Sequence, residues 1–247
     1  MSNVMVQCLG SGDAFGSGGR YQTCYYVEAD SVCFLIDCGS TALIAMKRYG
    51  VDPSRIGVVV LSHLHGDHFG GIPFIIRETQ IIAQRSNPLV IAGPPGVETR
   101  VKEAMEVFFP GSTRVANTFA LEFVELSYLH STAVGALEVA AYPVVHTQGT
   151  CPHALRIACD GRIISYSGDA EWTDALIQAA DGADLFICEA YTFAKTVRNH
   201  MNYQTLMHHL DDLRCKRLVL THMNDDMLAH PAGIHCEGAE DGMRIVL

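Results

Sequence analysis

Residues 61–71, LSHLHGDHFGG, place three histidines and an aspartate within six positions, directly after the apolar run IGVVV. A continuous valine-rich run predicts a strand that is buried on both faces. In an extended chain the side chains of His63, His65 and Asp67 share one side, and a turn at Gly66 would bring the fourth, His68, towards them. Buried without partners, these groups would cost free energy, whereas ligation of zinc or iron removes that cost. The segment therefore predicts a metal site at the end of a strand.

Three further ligand-type residues follow apolar runs elsewhere in the chain. His146 follows EVAAYPVV, Asp169 follows IISYSG and His222 follows RLVLT. Because each comes directly after a predicted strand, we expect their loops to converge with the histidine-rich segment at one edge of the sheets. Together they supply enough imidazole and carboxylate groups for two metal ions.

Strand-like and helix-like segments alternate along the chain, which predicts an α/β protein with two sheets and helices on their outer faces. Predicted strands cover residues 3–10, 23–30, 32–39, 56–63, 89–96, 121–127, 137–145, 155–159, 162–167, 183–190, 216–222 and 243–247. Predicted helices cover residues 40–50, 72–85, 97–109, 172–180 and 202–215. The length predicts a single domain over residues 1–247, with two αβ halves at roughly 1–128 and 129–247.

The glycine-rich segment GSGDAFGSGG, residues 10–19, is not predicted to bind a dinucleotide. It departs from the G-x-G-x-x-G pattern and precedes a strand, whereas a dinucleotide site needs a helix N-terminus there. Its glycines instead predict tight turns near the mouth of a site.

The formal net charge of −10, from 27 acidic and 17 basic residues, argues against stable nucleic-acid binding. Two bound divalent cations would still make one local patch positive and attract a small anionic substrate. The sequence has no long apolar stretch and no signal-peptide pattern at its start, so we expect no membrane association and a cytoplasmic location. The nine cysteines are expected to be reduced, and a homodimer is the default expectation.

The motif HLHGDH, together with His146, SGD at 167–169 and TH at 221–222, resembles the metallo-β-lactamase superfamily over nearly the whole chain. DCG at 37–39 and the opening GSGDAF also fit that superfamily. VIAGPPG and HMNYQTL resemble its ribonuclease Z-like and small phosphodiesterase branch. The resemblance implies a four-layer αβ/βα sandwich with a binuclear metal site at its edge.

The same resemblance implies a role for each candidate residue. One divalent ion would be held by three histidines: His63, His65 and His146. The second would be held by an aspartate and two histidines: Asp67, His68 and His222. Asp169 would bridge the two ions. The ions are expected to be zinc, with manganese or iron as alternatives. The candidate catalytic residues are Asp67 and His200, and His200 would protonate the leaving oxygen or stabilise phosphoryl charge.

These features predict a metal-dependent hydrolase of the phosphodiesterase type, in which a hydroxide that bridges two metal ions attacks a small phosphodiester or cyclic nucleotide. Alternatives remain: ribonuclease Z-type RNA processing, hydrolysis of another ester, thioester or lactam, or a non-catalytic metal-binding or carrier role. The interval from His146 to Asp169 has no room for the arm that grips tRNA in ribonuclease Z. Asp169 also stands where the main class of zinc β-lactamases has a cysteine.

Overall fold

Two mixed sheets of seven strands pack face to face in the computed structural model, which describes residues 4–247. The first sheet contains the first six strands: β1 (Met5–Gly10), β2 (Cys24–Glu28), β3 (Cys33–Ile36), β4 (Ile56–Val60), β5 (Leu89–Gly93) and β6 (Leu121–Glu125). The second contains β7 (Ser131–Val134), β8 (Leu137–Pro143), β9 (His153–Cys159), β10 (Arg162–Tyr166), β11 (Leu185–Glu189), β12 (Leu218–Thr221) and β13 (Glu237–Gly238). The last strand, β14 (Arg244–Val246), returns to the first sheet.

Each sheet has an antiparallel part and a parallel part. The first sheet has the order β14-β1-β2-β3-β4-β5-β6, with parallel pairing from β3 to β6. The second has the order β13-β12-β11-β10-β9-β8-β7, with parallel pairing from β10 to β13. Side chains such as Phe34 and Val60 of the first sheet meet Ile157 and Ile187 of the second in a fully buried core.

The described part of the chain also contains seven α-helices: α1 (Ala42–Tyr49), α2 (Gly66–Phe69), α3 (Ile72–Ile81), α4 (Val97–Phe108), α5 (Ala175–Ala180), α6 (Tyr203–His208) and α7 (Asp225–Leu228). Apolar residues of α1, α3 and α4 pack on the outer face of the first sheet. Those of α5, α6 and α7 pack on the outer face of the second sheet. The predicted four-layer αβ/βα sandwich is therefore confirmed.

Every predicted strand and helix has a counterpart in this fold, although Asn3, the first residue of the first predicted strand, lies outside the described residues. The strand predicted over 56–63 ends at Val60, and Gly66–Phe69 form a helix. The prediction that His63, His65 and Asp67 share one side of an extended chain was therefore wrong, because a helical turn brings the ligands together.

The helix predicted over 202–215 is also shorter than expected. It ends at His208, and a 3₁₀ turn, Leu210–Asp212, continues from it. Burial follows the predicted apolar spacing only in part: Leu206 in the helix and Leu213, directly after the turn, are buried, whereas Leu210 within the turn is exposed. The four-residue β7 and the two-residue β13 were not predicted, because elements this short carry little periodicity.

Two further expectations concern the surface and the cysteines. Among residues 4–247, every helix is too short or too polar to cross a bilayer. All nine cysteines are free thiols, as the sequence predicted, and six of them are buried.

Gly10 provides a test of the packing between β1 and the chain that precedes β2. The register of β1 against β2 shifts between Cys8 and Gly10, and a β-carbon on Gly10 would lie 1.9 Å from the carbonyl oxygen of Gln22. We expect Gly10→Ala to lower the free energy of unfolding by about 1–3 kcal/mol, because the backbone must move apart. Urea denaturation followed by circular dichroism measures this change.

Gly66→Ala is the matched control for this substitution. A β-carbon at Gly66 meets no heavy atom within 4 Å, so we expect unchanged stability or a gain of up to about 1 kcal/mol. Equal stability of the Gly10→Ala variant and the wild type would contradict the close approach.

Candidate metal centre

The structure brings all seven predicted ligands together at one edge of the two sheets. The loop after β4 and the first turn of α2 supply four of them, and the loops after β8, β10 and β12 supply one each. His65 is partly exposed. The other six side chains are buried: His63, Asp67, His68, His146, Asp169 and His222. They form two groups, and within each group the ligand atoms all lie within 4.8 Å of one another.

The first group consists of three imidazoles. Nδ1 of His65 lies 3.1 Å from Nε2 of His63 and 3.1 Å from Nε2 of His146. One proton shared between two nitrogens cannot satisfy three ring nitrogens that face one another. A cation that accepts three nitrogen lone pairs does satisfy them, and this ligand set suits zinc.

The second group combines carboxylates and imidazoles. Nε2 of His68 lies 3.1 Å from Oδ2 of Asp67 and 3.3 Å from Oδ1 of Asp169. Nε2 of His222 lies 3.2 Å from Oδ2 of Asp169. This mixed set of nitrogen and oxygen atoms is one that zinc, manganese and iron all accept.

Asp169 lies between the two groups. Its Oδ2 atom is 4.0 Å from Nε2 of His63 and 3.9 Å from Nε2 of His146, both in the first group. Oδ1 of Asp169 and Nε2 of His68 are buried, and neither is aligned with a hydrogen-bond partner. Orphaned atoms of this kind are costly in a protein interior, and a divalent ion at this point would satisfy both. The residues present therefore fit a divalent metal centre.

Asp37 fixes the orientation of two ligand rings from behind. Its carboxylate accepts hydrogen bonds of 2.7 Å from the backbone N–H and the hydroxyl of Ser62, and one of 2.7 Å from Nδ1 of His68. Because the Ser62 hydroxyl donates to Asp37, its oxygen accepts from Nδ1 of His63 at 3.1 Å. Both rings thus carry their proton on Nδ1 and leave the Nε2 lone pair for a metal.

His146 and His222 are oriented in the same way by different partners. Nδ1 of His146 donates to the carbonyl oxygen of Asn199 at 2.7 Å. Asn199 has a left-handed φ of 70°, and its N–H donates to Glu171. Nδ1 of His222 donates to the hydroxyl of Thr23 at 3.2 Å. The rings of His63, His68, His146 and His222 therefore all direct Nε2 towards the centre.

Burial and neighbouring charges shift the pKa values of the cluster in both directions. Burial and the neighbouring His68 hold the pKa of His63 well below its usual value, and burial lowers the pKa of His146 to about 4. Burial raises the pKa of Asp169, but the imidazoles of His222 and His68 outweigh it and hold that pKa well below its usual range. His63, His146 and Asp169 are therefore held in their ligating forms, two neutral imidazoles and an ionised carboxylate. Burial lowers the pKa of His68, but Asp169 and the neighbouring carboxylates outweigh it and raise that pKa well above its usual value, so a metal ion must displace a proton from this ring.

His200, the predicted catalytic histidine, lies beside the second group and is held by Glu189 at the end of β11. Oε1 of Glu189 accepts from Nδ1 of His200, and Oε2 accepts from the N–H groups of Ala170 at 2.8 Å and Met201 at 3.2 Å. The ring of Tyr191 stacks on the ring of His200, with 4.4 Å between the ring centroids. Burial lowers the pKa of His200, but the hydrogen bond and the charge of Glu189 outweigh burial, so the pKa is raised above its usual value.

Sequence reasoning missed Glu189, which is 1% exposed and accepts three hydrogen bonds at the site. A single glutamate after an apolar run has no spacing pattern that distinguishes it. Its position at a strand end, shared with the predicted ligands, is the signal that could have identified it. Asn199 and Thr23 had no such signal, since one acts through its backbone and the other through a common hydroxyl.

A cavity of about 180 Å³ opens onto the centre. It is lined by Ala14, Phe15, His65, Asp67, His146, Thr147, Asp169, Tyr191, His200 and His222. None of these is lysine or arginine. A larger groove of about 870 Å³ lies along α4, but it is lined by none of the predicted ligands, so the smaller cavity is the one that the chemistry identifies.

Comparison with known proteins gives one family match and a set of relatives. The family model described as "Anti-Pycsar protein Apyc1" matches residues 4–240. The chain is similar to a ribonuclease Z of Ignicoccus hospitalis, with 26% identity over 244 residues, which covers 80% of this chain and 78% of the relative.

Solved structures with the metallo-β-lactamase fold superpose on nearly the whole chain. YhfI from Bacillus subtilis gives a TM-score of 0.80 at 20% identity and covers 100% of both chains. The short form of human tRNase Z gives 0.76 at 23% identity, with 98% of both chains covered. A diphosphatase of the PhnP family gives 0.75 at 15% identity, with 98% of this chain and 97% of that one covered. The predicted metallo-β-lactamase fold is confirmed.

Metal analysis of purified protein tests the seven-ligand arrangement. We expect about two divalent ions per wild-type chain, and we expect Asp169→Ala to lose most of both, because Asp169 lies between the two groups. His208→Ala is the control, since His208 is exposed and lies outside both groups; it should retain the wild-type metal content. Full metal content in the Asp169→Ala variant, measured by plasma mass spectrometry, would contradict the predicted bridging role of Asp169.

Proposed function

We propose, because this chain belongs to the anti-Pycsar protein Apyc1 family, that it is a metal-dependent phosphodiesterase whose substrate is a small phosphodiester such as a cyclic nucleotide. We further propose that this hydrolysis is the chemical basis of an anti-Pycsar action. The observation that carries the proposal is that five of the seven ligand-type side chains line one cavity together with His200, which a buried glutamate holds.

The proposed ligands are His63, His65 and His146 for one ion, Asp67, His68 and His222 for the other, and Asp169 between them. Zinc is our first expectation, and manganese or iron would fit the same donor atoms. Divalent ions in such a centre supply Lewis acidity, which lowers the pKa of a water molecule and attracts phosphoryl oxygens. Asp67 is also a candidate catalytic residue, and its proposed contribution to catalysis is to hold the ion of the second group.

His200 is the proposed proton donor. Hydrolysis of a phosphodiester breaks one P–O bond, and the departing alkoxide oxygen needs a proton. The bond from Nδ1 of His200 to Glu189 orients the ring and favours its protonated form. Nε2 remains free of that bond and can donate to the leaving oxygen at the cavity that His200 lines.

Three features favour a small substrate over RNA. The cavity is small and has no lysine or arginine in its lining, although phosphate backbones are held chiefly by such side chains. Between His146 and Asp169, strands β9 and β10 are joined only by Asp160 and Gly161, which leaves no inserted arm. The net charge is −10.

The similar ribonuclease Z proteins act on RNA, which runs against the expectation of no nucleic-acid binding and makes RNA the main rival substrate.

A substrate panel tests the proposal directly. We expect metal-replete protein to cleave cyclic nucleotides with a kcat/KM at least ~100-fold above that for a precursor tRNA, and to leave lactams and thioesters intact. Wild-type protein with full metal content is assayed against each substrate at equal concentration. Preferred cleavage of precursor tRNA would replace the proposal with RNA processing, and retention of a small molecule without turnover would replace it with a carrier role.

His200→Ala tests the proton donor. We expect kcat for a cyclic nucleotide to fall by about 10²–10⁴-fold, the usual contribution of general acid catalysis, while the metal content stays at the wild-type level. His208→Ala is again the control and should retain the wild-type kcat. A kcat in the His200→Ala variant within about twofold of wild type would remove His200 from the chemistry.

A further inference from the structure

Phe15 is the most exposed large apolar side chain in the part of the chain that the structure describes, with an exposed fraction of 88%. Yet it lines the cavity of the metal centre. The ring takes no part in the core, and the hydrolysis proposed above does not use it. An exposed aromatic ring at the edge of a cavity that holds candidate metal ligands is available for contact with a bound molecule.

The backbone around Phe15 is held from both sides. The N–H of Phe15 donates to Oδ1 of the buried Asp13 at 3.2 Å, and the same carboxylate accepts from the N–H and hydroxyl of Ser17 at 2.9 and 2.8 Å. The carbonyl oxygen of Ala14 accepts from Nε2 of Gln22 at 3.0 Å. The loop thus presents the ring from a fixed backbone, which lowers the ordering cost when a ligand binds.

The size of the cavity leaves part of a nucleotide outside. Its volume is about 180 Å³, whereas pockets that enclose drug-sized ligands measure about 300–1,000 Å³. When a phosphodiester reaches the ligands inside, the remainder of the molecule lies at the mouth, where the Phe15 ring is exposed.

We propose that Phe15 is a specificity-determining residue on whose ring the base of a cyclic nucleotide stacks while the phosphodiester lies in the cavity. This inference rests on the proposed phosphodiesterase function. Stacking uses the π-face of the base and requires a flat aromatic partner. Because the ring contacts the base and not the reacting phosphorus, it affects KM and leaves kcat unchanged.

Steady-state kinetics on the metal-replete, full-length protein tests this inference with two substrates. One is cyclic AMP, and the other is the base-free methyl riboside cyclic phosphate, which has the same phosphodiester ring and no base. We expect Phe15→Ala to raise KM for cyclic AMP by about 5- to 100-fold, the usual contribution of one stacked base. KM for the base-free compound and kcat for both should stay within about twofold of wild type.

Two further variants separate stacking from apolar contact. Phe15→Trp should retain the low KM for cyclic AMP, whereas Phe15→Leu, which is apolar but not flat, should resemble Phe15→Ala. Ile82→Ala is the matched control, because Ile82 is 71% exposed and does not line the cavity; its KM should equal that of wild type.

The outcomes distinguish this inference from the function on which it rests. If wild-type protein cleaves neither cyclic compound, the proposed function fails. If wild-type protein cleaves both and Phe15→Ala leaves KM for cyclic AMP unchanged, the stacking inference alone is overturned. An equal rise in KM for the base-free compound also overturns it, as does a change from dimer to monomer in the Phe15→Ala variant by sedimentation.

Discussion

The buried carboxylate of Asp169 is the group on which the arrangement of the site depends. It approaches ligand atoms of both groups within 4.0 Å, and one of its oxygens has no hydrogen-bond partner. A buried, ionised carboxylate is tolerated only where positive charge compensates it. The parallel strands of the second sheet bring Asp169 and His222 to the same edge. The histidine-rich loop of the first sheet meets them there, so the site lies where the two sheets join.

The sequence predicted the ligands because they follow recognisable strands, although the local geometry differed. His146, Asp169 and His222 each follow an apolar run, and the structure places each at the site edge. Their roles as metal ligands remain predictions. The extended conformation assigned to residues 63–67 was wrong, since the resemblance of HLHGDH to known motifs carries no information about where a strand ends. A helical turn at Gly66–Phe69 achieves the same convergence.

Other contributions to the site have no pattern in one dimension. Asp37 and Thr23 act through hydrogen bonds to rings that are distant in sequence, and Glu189 acts through His200. The exposure of Phe15 depends on how its loop folds, and apolar residues in sequence analysis are assigned to the core by default. The pairing of β14 with β1 was also not foreseen, because a short C-terminal strand carries no information about its partner.

The contact between His146 and Asn199 has a consequence for how this chain can vary. The acceptor is a main-chain carbonyl, which every amino acid possesses, so no replacement at position 199 deletes it. What a replacement changes is the ease of adopting a φ of 70°, which asparagine and glycine tolerate and β-branched residues resist. Which residues are tolerated at position 199 is therefore decided by backbone conformation. Replacement by a polar but β-branched residue can be more harmful there than replacement by glycine, which removes the whole side chain.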